Sequence, residues 1–426
     1  MNSIKTITFT FLTLLLLFCS LSLAQDSLNV NIVSIIENPS HLTFDVLVSG
    51  DYAYLTDSRN ILRIIDISDP YNPRETGFVD EGGNGSGIDL RDNYAFVVTG
   101  DIYCAPSLFV IDISDSHHPR IVGTLTFANS AYDVFVLDNY AYVADSLYGL
   151  QVIDISQPTD PRLVSVYETP GTGAGITACE NYVYIADYRE GLCILDVSDI
   201  HNISEAGRYD TPGNANDVAV RDEFAFVADG TDGLRILDIS DLENIEEVSN
   251  YRVYGTVVDV KIRGNYAYLA YTWGGFRIID ITRLNEPYEV GFYITPLMAR
   301  SVDIAGHYAY ISARRQFFIL DFSEALSANN PDLITEPTLL NFTLSSAYPN
   351  PFNSQTTIHY SLPEADNVTV KIFNIIGREI ITLVDQFSDA GRFRISFYAS
   401  SLASGTYIIE LSNSRKRQTK NIEVLK

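Results

Sequence analysis

A unit of about 42 residues recurs seven times between Tyr52 and Asp321, and few folds accept such a period. The first aromatic of each unit falls at Tyr52, Tyr94, Tyr140, Tyr182, Phe224, Tyr266 and Tyr308, spaced by 42, 46, 42, 42, 42 and 42 residues. The Asp that ends the apolar run falls at Asp66, Asp112, Asp154, Asp196, Asp238, Asp280 and Asp321. The second unit is the long one, with an insertion around Gly100 to Ser107. In the third unit the pattern predicts four strands, roughly Asp133–Leu137, Ala141–Ala144, Leu150–Ile155 and Arg162–Tyr167. Asn and Gly at the first turn, Asp and Gly at the second and paired prolines at the third supply turn chemistry. No amphipathic stretch of period 3.6 lies between them, which disfavours helical solenoids. Runs such as Leu-Arg-Ile-Leu-Asp238 are nearly apolar, as strands covered on both faces are. Four short strands per unit of this length describe a blade, and seven units describe an all-β, seven-bladed propeller.

Ring closure sharpens the expectation. The seventh unit has three strands and then runs into Ser323–Pro331 without a fourth. An orphan strand, Asn29–Ile36, precedes the first unit. It is expected to complete blade seven beside Gln316–Asp321, which removes an exposed sheet edge.

The repeats resemble the LVIVD-repeat family of extracellular β-propellers. The matching runs are Leu-Arg-Ile-Ile-Asp66, Leu-Phe-Val-Ile-Asp112, Leu-Gln-Val-Ile-Asp154, Leu-Cys-Ile-Leu-Asp196, Leu-Arg-Ile-Leu-Asp238, Phe-Arg-Ile-Ile-Asp280 and Phe-Phe-Ile-Leu-Asp321. The resemblance implies fold and surface location more than chemistry.

The two ends of the chain read differently. Lys5 is the only charge before Asp26, Ile7–Leu23 is apolar, and Ser22-Leu23-Ala24 places small residues ahead of Gln25. This is the pattern of a cleaved signal peptide, residues 1–24. No later apolar run reaches 18 residues, so no transmembrane span is expected in the mature chain. The propeller is expected over 25–323 and a linker over 324–342. The net charge of −26 sits almost wholly in these parts, because from Glu336 onward there are 8 acidic and 9 basic residues. Such an acidic surface argues against a nucleic-acid partner. Residues 343–426 carry six short alternating strands, at Thr357–Ser361, Val368–Phe373, Ile380–Leu383, Phe393–Tyr398, Thr406–Leu411 and Lys420–Leu425. They suggest a small β-sandwich of immunoglobulin type.

This tail resembles the type A sorting domain of the type IX (Por) secretion system. The marks are Tyr348-Pro349-Asn350-Pro351-Phe352, the run Val370–Glu379 with Gly377, Leu402–Tyr407 with Gly405 and Tyr407, and the terminal run from Lys420 to Lys426. The resemblance implies passage through the periplasm and delivery by that machinery to the cell surface or the exterior.

Catalytic motifs are absent: no G-x-S-x-G elbow, no P-loop, no EF-hand, and six scattered His. Gly171–Gly175 has the look of a dinucleotide loop, but no helix follows it. The acidic residues are more informative. One Asp opens the innermost strand of six units, at Asp45, Asp89, Asp133, Asp217, Asp259 and Asp303, with Thr177 in the fourth. In a propeller they would ring one mouth of the channel. Capping of backbone N–H groups is the favoured role; an oxygen-rich ring would otherwise suit Ca²⁺. Asp57, Asp145, Asp187 and Asp229 end the second strand near the same face. Loops differ most on that face, where Tyr103, Tyr148, Tyr188, Arg189, Trp273, Arg314 and Arg315 offer aromatic and guanidinium anchors. Cys179 and Cys193 are expected to be free, buried thiols, because a strand separates theirs. The sequence therefore describes an exported propeller that binds a glycan or an envelope protein without catalysis. The alternatives are a polysaccharide hydrolase or lyase using channel carboxylates, and a purely structural surface-layer component.

Overall fold

The computed structural model describes residues 27–37, 41–80, 83–100, 105–252, 255–329, 342–344, 355–362, 366–388, 391–398, 402–413 and 415–424. The signal-peptide reading, Tyr103 and the segment Tyr348–Phe352 lie outside them. The chain divides into two units, Met1–Pro331 and Asp332–Lys426.

The first unit contains seven antiparallel sheets arranged as blades. In the third, the strands are Ala131–Leu137, Tyr140–Asp145, Gly149–Asp154 and Arg162–Glu168, paired in sequence order. The hydrophobic core is not one mass but seven clusters, one between each pair of neighbouring blades. Phe96, Val98 and Val110 of blade two meet Val134, Ala141 and Ile153 of blade three in one of them. Third-strand runs such as Leu62–Ile65 are buried on both faces because each blade is sandwiched between two others.

Outer strands approach the next blade closely, and the sequence provides room. A Cβ on Gly123 would lie 2.2 Å from the Pro158 carbonyl oxygen of the next blade. Where the matching residue is Ser165, its hydroxyl donates to the Ile200 carbonyl at 2.7 Å. Gly207 and Ser249 repeat the alternation at the following junctions, with Ser249 donating to Leu284.

Closure follows the expected route. Asn31–Glu37 pairs antiparallel with Gln316–Asp321, with Ile32 opposite Leu320 and Ile36 opposite Phe317. The N-terminus also does something the repeat could not announce. Ser27–Leu28 adds a fifth strand to blade six, opposite Tyr293 and Phe292. Val30, between the two strands, is buried in the cluster that joins blades six and seven. Residues Ser323–Asn329, expected as patternless linker, form a helix whose Ala325 packs on Gly291 of blade six. Asp321 accepts the Ser323 N–H at 2.8 Å just ahead of that helix, as the equivalent Asp does at the same place in other blades.

The second unit is a β-sandwich. Thr343–Leu344, Gln355–Leu362 and Gly391–Tyr398 make a three-stranded sheet. Glu379–Ser388, Asp366–Asn374, Gly405–Ser412 and Arg417–Val424 make a four-stranded one in that order. Ile358, Tyr360 and Leu362 from the first meet Val368, Val370, Ile372, Ile409 and Leu411 from the second. Gly377 takes φ +79° in the tight turn after Asn374, a conformation that favours Gly. The Tyr407 hydroxyl donates to the Ala403 carbonyl at 3.0 Å, and Lys420 pairs with Ile409 along the edge ladder.

Candidate functional site

The innermost strands surround a channel, and the acidic residues lie in it. Their register corrects the expectation of a single ring. Asp133, Asp217 and Asp259 stand opposite Ala144, Ala228 and Ala270, the fifth residue of the second strand. Asp45 lies at this level too, its N–H donating to Thr56 at 3.0 Å. Asp89 and Asp303 stand opposite Phe96 and Tyr310, the third residue of that strand, and so lie one full pleat deeper. Thr177 lies on the deeper level opposite Tyr184, and Gly175 takes the upper place in blade four. A Cβ on Gly175 would meet Asp217 at 2.6 Å, so the neighbouring blade's carboxylate occupies that space.

Each of these carboxylates staples its own blade to the next. Asp45 accepts N–H bonds from its neighbour Val46 at 2.8 Å and from Ile88 of blade two at 3.0 Å. Asp89 bonds Val136, Asp133 bonds Ile176, Asp217 bonds Val260, Asp259 bonds Val302, and Asp303 closes the circle on Val48. Only the junction from blade four to blade five lacks this bond among the described residues. The capping role is therefore extended into a circumferential one.

The residue that sequence reasoning missed is Lys261, on the deeper level of blade six opposite Tyr268. Its ammonium lies 3.5 Å from Asp259. Burial raises the carboxyls of Asp45 and Asp89 to about 6 and that of Asp133 to about 7, while Lys261 opposes the shift in each. Burial pushes Asp217 well above the usual range; Lys261 opposes the shift and the neighbouring Asp259 adds to it. Burial works against an ionised Asp259 too, yet Lys261, and then Asp217, hold its carboxyl below the ordinary value. Lys261 is held charged against its own burial by Asp259, Asp217, Asp45 and Asp303. The visible signal for the two levels was the offset to the following aromatic: seven residues for Asp45, Asp133, Asp217 and Asp259, but five for Asp89 and Asp303. The signal for Lys261 was a Lys two residues after a channel Asp.

Below this layer lies a chamber of about 390 Å³ walled by Leu47, Phe135, Val220 and Ile304. Above it a funnel of about 130 Å³ opens between Phe44, Tyr132, Asn216 and Arg300.

The second acidic set is buried in turns. Asp145 accepts from the N–H groups of Leu147 and Tyr148 at 2.8 Å and from Gln151 at 2.6 Å. Asp187 and Asp229 hold Thr169 and Thr211 and the N–H of Gly171 and Gly213, and Asp57 holds the N–H of Arg59 and Asn60. Gly171–Gly175 is thus a loop between blades three and four and opens an inner strand.

The loop-face residues are distributed rather than clustered. Trp273, on blade six, is 62% exposed. Tyr188, on blade four, is half-buried with φ +50° and exchanges backbone hydrogen bonds with Ala215. Blade five separates the two. Tyr148 is half-buried, while Arg189, Arg314 and Arg315 are exposed. Cys193 is buried, but Cys179 is exposed, against expectation, because it ends its strand; both are free. Among the described residues no group of His, Cys, Asp and Glu is arranged to hold a metal ion. No described helix is long and apolar enough to cross a membrane.

Comparison with known proteins agrees with this architecture. The model of the LVIVD repeat matches residues 42–81, 82–126, 128–169, 170–211, 212–253, 254–295 and 298–329. The model of a secretion system C-terminal sorting domain matches residues 346–424. The WD40 β-propeller domain of Doa1 is similar in structure, with TM-score 0.57 and 11% identity over 69% of this chain and 97% of that one. The β-propeller domain of Cps50 (Swd1) from Myceliophteria thermophila gives TM-score 0.55 and 11% identity over 68% of this chain and 99% of that one. These likenesses concern the fold alone. No curated protein matches the chain in sequence. Seven matched repeats on seven closed blades, followed by a matched tail on a separate sandwich, settle the family: the chain belongs to the LVIVD-repeat proteins and carries a secretion system C-terminal sorting domain.

Proposed function

We propose that this protein is a non-enzymatic binding module, delivered by the type IX secretion machinery to the cell surface or the exterior, that holds a glycan or envelope protein on the loop face of its propeller. The sorting domain supports the route. The use of the channel carboxylates speaks against the hydrolase reading. An acid–base pair for glycoside cleavage needs two carboxyls facing an open cleft several ångströms apart. Here each of the six channel Asp accepts a backbone N–H of the next blade, and the Lys261 ammonium lies 3.5 Å from Asp259.

The test incubates the purified chain with immobilised polysaccharides and with envelope fractions, scoring retention and released sugar together. Retention without release supports the binding role. Release of sugar that survives purification and is lost in Asp217→Asn would replace it with the hydrolase reading. No retention on any surface would favour a structural surface-layer component.

A further inference from the structure

One guanidinium at the upper mouth breaks the habit of the fold. Four of the propeller's other enclosed arginines are paired with acids, Arg63 with Glu75, Arg208 with Glu205, Arg277 with Glu289, and Arg235 with both Asp229 and Glu247 at 2.6 Å, while Arg91, over Phe96, donates to the Asp138 and Ile155 carbonyls. Arg300, in the loop that leads into blade seven's inner strand, has no ion pair among the described residues. Its guanidinium carbon stands 4.7 Å over the ring of Phe44 from blade one. Its Nε–H is buried without an acceptor. Burial, and then the like charge of Arg314 on the next loop of the same blade, bears against its protonation. In a chain with 54 acidic residues against 28 basic ones, an acidic partner was readily available, and none is there. Desolvated, unpaired cations are unfavourable unless something supplies the missing anion.

Resting on the loop-face reading, we propose that the funnel above the acidic layer takes a single uronate residue of an acidic glycan, with Arg300 as the carboxylate anchor. Stacking on Phe44 fixes the guanidinium plane, so its edge presents parallel N–H groups that match a planar carboxylate. Tyr132, 46% exposed, gives a flat apolar face for the sugar ring. Asp45, Asp133, Asp217, Asp259 and Lys261 line the floor, and the carboxylate lone pairs left over by the backbone N–H bonds suit sugar hydroxyls as donors. The same floor selects against a polyanion: one negative charge sits at the rim with the hydroxyls turned down, whereas an acidic peptide or a sulfated ligand would bring further negative charge onto the carboxylates.

The experiment is calorimetric titration of the full mature chain with four probes: tri-galacturonate, its methyl ester, the neutral gluco-trisaccharide and a Glu-rich peptide. Tri-galacturonate is expected to bind, with the ester at least about tenfold weaker, since a charge-assisted bidentate pair is lost. R300Q should reduce tri-galacturonate affinity by about tenfold or more and R300K by less, because the charge stays while the fork goes. Phe44→Leu, which keeps bulk but not the flat face, should weaken it too and serves if R300Q fails to fold. Equal binding of acid and ester, an affinity indifferent to Arg300, or no uronate binding would overturn the uronate site. The peptide binding as well as the uronate would overturn it as well. In each of those cases retention of another ligand on the loop face would leave the broader binding role intact.

Discussion

Replacing Lys261 with Met should weaken the propeller in mild acid and weaken it further at pH 8. The ammonium lies 3.5 Å from the Asp259 carboxylate. At that distance and an effective dielectric near 20, the pair is worth roughly 4–5 kcal/mol. The Lys261 side chain is 44% accessible along the channel, so solvent screening reduces this to about 2 kcal/mol. Met keeps the volume and removes the cost of enclosing a charge, which recovers a fraction of a kcal/mol. The sign with pH follows from the direction of the shifts. Asp45 and Asp89 are raised to about 6 and Asp133 to about 7. A raised carboxyl contributes its full stability below its unfolded pKa and loses it as pH rises through the folded one. The native channel therefore loses stability from about pH 4 to pH 7. Without Lys261 the folded values climb further, and the loss continues above pH 7. Asp259, held below the ordinary value, is ionised at both pH values, so the loss is expected to be about 2 kcal/mol at pH 4.5 and larger at pH 8, where Asp45, Asp89 and Asp133 ionise as well. Urea denaturation followed by the fluorescence of Trp273, the chain's one Trp, reads the propeller directly. A destabilisation equal at both pH values, or a variant more stable at pH 8, would refute the coupling of Lys261 to the carboxylates.

Three further outcomes are expected. Gly123→Val drives a side chain onto the Pro158 carbonyl, 2.2 Å from where its Cβ would stand, and should destabilise the propeller by about 3 kcal/mol or more in the same urea assay; Ser165→Ala, which loses only a hydrogen bond, should cost about 1 kcal/mol. Starting the mature chain at Asn38 removes the partner of Gln316–Asp321 and the burial of Val30, so stability should fall by about 3 kcal/mol or more and concentration-dependent association should appear in sedimentation. Asp89→Ala leaves the Leu90 and Val136 N–H groups without their acceptor and should lower stability by about 1–3 kcal/mol, with faster amide exchange at both residues; unchanged exchange at Val136 would remove the staple from the account.

The blades were legible because each repeat had to satisfy the same constraints seven times. A strand buried on both faces must be apolar, a tight turn must be Gly, Asn or Asp, and a close junction must be Gly or Ser. All three leave marks in one sequence. Closure was legible for the same reason: a unit short of one strand and a strand short of a unit can only belong together. What escaped was whatever the repeat does once. Ser27–Leu28 on blade six and the helix Ser323–Asn329 carry too few residues to show a period. Arg300 showed nothing, because its oddity is the absence of an acid in space, and sequence neighbours do not report that.

The acidic layer lies between these cases and shows how a repeat accommodates a channel. A staple from one inner strand to the next needs an acceptor at either of two heights, since N–H groups facing the channel recur with every second residue. Blades one, three, five and six use the upper height and blades two and seven the lower. Six carboxylates on one level would face one another across the axis, and their repulsion would be severe in an enclosed space. Distribution over two heights, a raised carboxyl at Asp217 beside a lowered one at Asp259, and one Lys at the lower height each relieve it. Blade four goes further and omits the carboxylate, with Thr177 below and Gly175 above, so that Asp217 can occupy the vacated room. That omission also leaves blades four and five as the one junction without an axial staple. If the ring opens anywhere on heating, amide exchange should rise first along Asp217–Arg221, the strand whose junction with blade four carries no such bond.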